Sequence, residues 1–126
     1  MKKLLVLLFS ILISFNSYGE WKKVGDDPNA TYFIDDNSIR KINKSVYWWM
    51  LTNYKTPSPW GDMSSKIYNE TDCEIFRTRF LTGDFYKQPM GMGNSMNETP
   101  DNPEWKYPSP GSSRETVNKY ICDYID

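Results

Sequence analysis

From Ser45 to Lys55 (Ser-Val-Tyr-Trp-Trp-Met-Leu-Thr-Asn-Tyr-Lys) apolar side chains occupy both alternating sets of positions. In a strand, Val46, Trp48, Met50 and Tyr54 face one way, and Tyr47, Trp49 and Leu51 the other. Two apolar faces predict a central strand covered on both sides. The second clear period is helical. Val117, Tyr120, Ile121, Tyr124 and Ile125 are spaced as one face of a helix. Ser112-x-x-Glu115 in front of them reads as a capping box, and Pro110-Gly111 as the entry turn. A helix this short is marginal alone in water, so its stripe must lie on another element.

The weaker patterns fill in the chain. Glu20–Val24 alternates as a short first strand, closed by the turn formers of Gly25–Asn29. Ala30–Ile34 is β-rich and predicts a second strand. Asp35–Ser38 offers N-caps for one helical turn at Ile39–Lys41; Asp35 and Asp36 lack the glycine and distal glutamate of a calcium loop. Thr56–Asp62, with two prolines, is a surface loop whose tip residue Trp60 either meets a ligand or folds back on the core. Ser64–Tyr68 resumes a strand. Thr71–Phe80 predicts another, with Cys73, Ile75, Arg77 and Arg79 on one face. Leu81–Lys87 turns through Gly83-Asp84 and offers a further strand. Gln88–Tyr107 is a long connection, and long loops tend to be functional or mobile.

The chain opens with Met1-Lys2-Lys3, the apolar run Leu4–Phe15 and Ser17-Tyr18-Gly19. A basic start, a short apolar run and small residues make a signal peptide, and a spanning helix would need ~20 apolar residues. Residues 1–19 are therefore expected to be removed after Gly19, leaving 20–126 as one domain without a membrane anchor. The 15 Lys and Arg against 16 Asp and Glu become 13 against 16 once Lys2 and Lys3 leave with the leader. A net charge of about −3 argues against nucleic acid as a partner.

The two cysteines of an exported chain most simply form one disulfide. Cys73 and Cys122 would then staple the terminal helix to a sheet, for roughly 4 kcal/mol in the loop-entropy model. The strand reading places Arg77 and Arg79 beneath that helix, where they snorkel past its edge, pair with Glu115 or Asp123, or border a ligand groove.

Candidate chemistry is thin. The chain has no histidine and no glycine-rich phosphate cradle. Ser64 and Lys66 share a strand face, but nothing buries the lysine or supplies an oxyanion hole. Glu98 and Glu104 lie in a loop without the burial that separates an acid from a base. Met90, Met92 and Met96 are soft copper ligands in principle and gap fillers as readily. The expectation is no catalytic residue, no cofactor and no metal.

Taken in order, several stretches resemble the surface-adhesin protein E family of exported bacterial proteins: Trp21–Val24, Tyr32–Asp35 with Ser38-Ile39-Arg40, Tyr47–Lys55, Ser64–Lys66, Asp72-Cys73 with Arg77 and Arg79, Met90–Gly93, and Trp105–Pro110 on to Cys122. The resemblance covers nearly all of residues 20–126. It implies an α+β fold, an antiparallel sheet of about six strands with a C-terminal helix tethered across one face by the disulfide. It also implies an adhesin that binds host matrix or serum proteins. This chain departs from the prototype in having no lipid-attachment cysteine, so the expected location is periplasmic or secreted, with surface display left open.

One helix of ~13 residues is about 20 Å long and covers only part of one sheet face. The apolar residues of the other face then need a protein partner: a second copy in a homodimer, a host protein, or an envelope protein. Trp49, Trp60, Arg77 and Arg79 are the candidate binding residues. The alternative to an adhesin is a periplasmic inhibitor or accessory subunit of an envelope complex, working through the loops 56–63 and 88–107.

Overall fold

In a computed structural model, which describes residues 20–125, the aromatic strand lies at the centre of an open antiparallel sheet. The expected leader and its cleavage point fall outside those residues. The strands are β1 (Lys22–Asp26), β2 (Ala30–Ile34), β3 (Arg40–Ile42), β4 (Ser45–Tyr54), β5 (Ser64–Asp72), β6 (Arg77–Gln88) and β7 (Met92–Glu98), followed by the helix α1 (Ser113–Tyr124). Their order is β1-β2-β4-β5-β6-β7, with β3 beside β2 on the same edge of β4. This is the expected α+β architecture, with seven strands among the described residues.

Alternation on β4 sorts the two faces. Ile34, Val46 and Trp48 are buried together with Val117 and Ile121 of α1, so the helix lies on the Val46–Trp48–Met50 side. Removing a side chain such as Ile121 from water is worth ~1.5–3 kcal/mol. The helix begins as its sequence dictates: Ser112 Oγ accepts the Glu115 amide at 3.2 Å. The glutamate reaches one residue further back than a capping box would have it, accepting from the Gly111 amide at 3.2 Å. Gly111 itself sits at φ +78°, a conformation that glycine adopts without a Cβ clash. At the far end of the helix Cys122 is bonded to Cys73, with Cα atoms 5.6 Å apart.

A buried polar chain also joins helix and sheet. Trp48 Nε1 donates to Thr71 Oγ1 (2.9 Å), Thr71 shares a 2.7 Å bond with Thr78, and Thr78 Oγ1 donates to Asn118 Oδ1 (3.0 Å). An indole N–H can only donate. With Thr78 donating onward to the amide, Thr71 must donate to Thr78.

Four local expectations are corrected. Thr71–Phe80 is not one strand, because Cys73–Phe76 form the turn between β5 and β6. Asp72 Oδ1 accepts the amides of Glu74 and Ile75 at 3.1 and 3.2 Å, and Phe76 closes the turn at φ 65°. The turn resets the alternation, so Arg77 and Arg79 do not share a face with α1. Second, Gly83-Asp84 is no turn; β6 runs through it, with a bulge opposite Tyr68–Asn69. Third, the connection after Gln88 contains β7, which doubles back on β6. Fourth, the short helical turn is a 3-10 turn at Asp36–Ser38 capped by Asp35, while Arg40 and Lys41 belong to β3.

Candidate binding surface

On the face away from α1, register places Tyr47 of β4 beside Glu70 of β5 and Arg79 of β6, and Trp49 beside Tyr68. The rings of Trp49 and Tyr68 lie 4.9 Å apart and those of Tyr47 and Tyr68 6.1 Å, within the range of favourable aromatic pairs. All three are half-buried. The 3-10 turn bridges the gap between β2 and β3, with Ser38 Oγ accepting the Trp49 amide at 3.2 Å.

The two arginines complete this face. Arg79 Nε donates to Glu70 Oε1 at 2.7 Å, and Ser45 Oγ donates to the other carboxylate oxygen at 2.6 Å. Arg77 Nε donates to Asp72 Oδ2 at 3.3 Å. Both guanidinium groups lie over the indole of Trp105, 4.2 and 4.4 Å from its centre. Trp105 is brought there by an isolated bridge between Thr78 and Lys106, which lines the chain up along the free edge of early β6. Adjacent residues of an extended segment point to opposite faces. Lys106 therefore goes to the helix side, and Trp105 to the open side. Pairing confines each guanidinium to one position and leaves part of it accessible, at 24 and 32 % side-chain exposure for Arg77 and Arg79.

Of the expected binding residues, Trp49, Arg77 and Arg79 thus share one face. Trp60 does not join them. It is 78 % exposed in the β4–β5 loop, beyond the Ser64 end of β5, while the arginines lie opposite its other end, about 20 to 26 Å further along the strand. It does not fold back on the core; its carbonyl accepts from Lys87 Nζ at 2.7 Å. The arginines pair with Asp72 and Glu70, not with Glu115 or Asp123. Sequence reasoning missed Tyr68, Glu70 and Trp105 as parts of this surface.

Ser64 and Lys66 also lie on the open face, in structural roles. Ser64 Oγ donates to the Gln88 carbonyl at 2.6 Å and accepts the Gly91 amide at 2.9 Å. Lys66 Nζ lies over the rings of Tyr86 and Trp21, at 5.4 and 5.9 Å. Gly91, at φ +70°, brings the Pro89–Gly91 turn down on this end of the face; a Cβ there would meet Lys66 Cε at 2.5 Å. Among the described residues no group of acidic side chains and cysteines has the arrangement of a metal site, and no helix is long and apolar enough to cross a membrane.

The profile of the family described as Surface-adhesin protein E matches residues 21–123. The chain belongs to that family. Among solved structures, crystal form II of Haemophilus influenzae protein E is similar at 21 % identity and a TM-score of 0.61, over 84 % of this chain and 90 % of that one. Protein E from non-typeable Haemophilus influenzae is similar at 20 % identity and a TM-score of 0.58, over 82 and 75 %. At this identity the likeness speaks for the fold. No curated protein sequence matches the chain significantly. Family membership makes it an adhesin-like surface protein and points away from enzymatic activity.

Proposed function

We propose that the chain is an exported, non-catalytic protein-binding module that holds host matrix or serum proteins on the open face of its sheet. The observation that carries this reading is the array Trp49–Tyr68–Tyr47 beside Arg77 and Arg79 on Trp105. Trp, Tyr and Arg are the residues in which interface binding energy concentrates. Here they are held in place before a partner arrives, which lowers the ordering cost of association. Trp60 extends the contact at the far end of β5. Cleavage after Gly19 would release residues 20–126 to the periplasm or the medium.

The reading is tested by binding of the oxidised protein to immobilised whole serum and to immobilised basement-membrane extract. Trp49→Ala and Trp105→Ala should each weaken capture about tenfold, the effect of ~1.4 kcal/mol, while Trp60→Ala has a smaller effect. Capture of the same cell's envelope proteins instead would favour an accessory subunit. A stable dimer closed through Trp49 would assign the face to a second copy.

A further inference from the structure

The helix does not fill its own side of the sheet. Between α1 and the extended segment around Lys106 lies a cavity of about 560 Å³, within the roughly 300–1,000 Å³ of small-molecule sites. Its floor is mostly apolar. Trp48 and Phe80 flank the buried Asn69 in one row of the sheet, and Met50 and Ile67 lie in the next. Counted along β5, the sheet side of the cavity runs about 13 Å from the Thr78 row to the Ile67 row.

One end of the cavity is polar. Arg114 lies one helical turn before Asn118, and Lys106 is held opposite Thr78, which donates to Asn118. All four residues line the cavity. Arg114 has no ion pair among the described residues, and Lys106 meets only the exposed Glu104, at 3.4 Å. Asn118 is 1 % exposed, yet its Nδ2 has no hydrogen-bond partner among the described residues. Asn118 Oδ1 takes the Thr78 hydroxyl, and the group left without a partner is the donor Nδ2. A buried donor without an acceptor is unusual enough in a folded protein to call for an explanation.

We propose that this cavity binds a single-chain anionic amphiphile of the fatty-acid class. The carboxylate sits at the Arg114–Asn118–Lys106 corner and the acyl chain lies over Phe80, Ile67 and Met50. Two cations against one glutamate select a negative head group. The acceptor oxygens supply what Asn118 Nδ2 lacks, and the apolar floor accepts one chain. The site is on the opposite side of the sheet from the proposed protein-binding face and is independent of that reading.

The test is calorimetric titration of the purified, oxidised protein with dodecanoate below its micelle concentration. Saturable binding of one equivalent is expected, with much weaker binding of uncharged dodecyl maltoside and of dodecyltrimethylammonium. Arg114→Glu together with Lys106→Glu, both at exposed positions, should weaken dodecanoate at least about tenfold. Ile67→Trp should block the far end of the cavity; should that variant fail to fold, the charge variant alone decides. Absence of saturable binding, equal affinity for the uncharged amphiphile, or indifference to the charge reversal would overturn the proposal. So would co-sedimentation with phosphatidylglycerol vesicles in the absence of dodecanoate binding, which would assign the cations to a membrane surface.

Discussion

Asp27 and Ser113 join the two ends of the fold: the serine hydroxyl donates to the Asp27 carboxylate, across 86 positions of sequence. The same carboxylate accepts from Tyr32 Oη at 2.8 Å and from the amides of Asn29 and Ala30 at 2.7 and 2.9 Å. A single side chain thereby shapes the β1–β2 turn and ties it to the first turn of α1.

These donors, Ser113 foremost, hold the Asp27 carboxyl well below the usual carboxylate range. A folded-state pKa below the unfolded one adds stability at pH above ~3.9, and that stability is lost as the pH falls from there toward the folded value. Thermal unfolding followed from pH 7 to pH 2 should show this acid loss, and Asp27→Asn should flatten it while lowering the neutral Tm. At the alkaline end, burial first and the neighbouring Asp27 second push the Tyr32 phenol up to about 12. Its contribution is complete below ~10 and declines as the pH rises from there through about 12. Tyr32→Phe should remove that alkaline decline.

Reducing the Cys73–Cys122 bond frees the end of α1 from the β5–β6 turn. The double variant Cys73→Ala, Cys122→Ala should lose ~2–4 kcal/mol in denaturant unfolding. Treatment of the wild type with dithiothreitol should produce a similar loss, and should leave the double variant unchanged.

Thr78→Val deletes the middle of the chain from Trp48 to Asn118. Thr71 loses its acceptor and the Asn118 amide its one donor, and unpaired buried groups cost ~1–3 kcal/mol. Urea unfolding should show a loss of that size. A smaller effect for Thr78→Ser, which keeps the hydroxyl, separates the hydrogen bonds from packing.

Glu70→Ala leaves the Arg79 guanidinium without its carboxylate and Ser45 without its acceptor. The expected loss is again ~1–3 kcal/mol, read as a lower denaturant midpoint. Glu70→Gln, which can still accept from Ser45, should lose less.

Much of the fold was legible where the pattern was strong. Both faces of β4 are apolar, so either alternation reads as strand, and the stripe from Val117 to Ile125 admits only a helix. The turn at Cys73–Phe76 was illegible for a physical reason. It contains no glycine, proline or asparagine; Asp72 caps it from the strand, and Phe76 takes the left-handed conformation that glycine usually supplies. A signal was nonetheless present: Glu70-x-Asp72 is mirrored by Arg77-x-Arg79, as a hairpin with cross-strand ion pairs requires. Reading that mirror would have placed the arginines on the open face. β7 offered no pattern because all its residues are exposed, and no alternation arises where neither face is buried. Trp105 joins the site through its neighbour Lys106, which bridges to Thr78, a long-range pairing that local periodicity does not encode.

Whether the uncovered face of the sheet holds protein partners is decided by biolayer interferometry. The oxidised wild type and a Trp49→Ala, Arg79→Ala, Trp105→Ala variant, with matching circular dichroism and an intact disulfide, are compared on immobilised serum and basement-membrane proteins. The wild type should bind, and the variant should lose more than about tenfold in affinity. Equal binding by a folded variant, or no binding by the wild type to either surface, would contradict it.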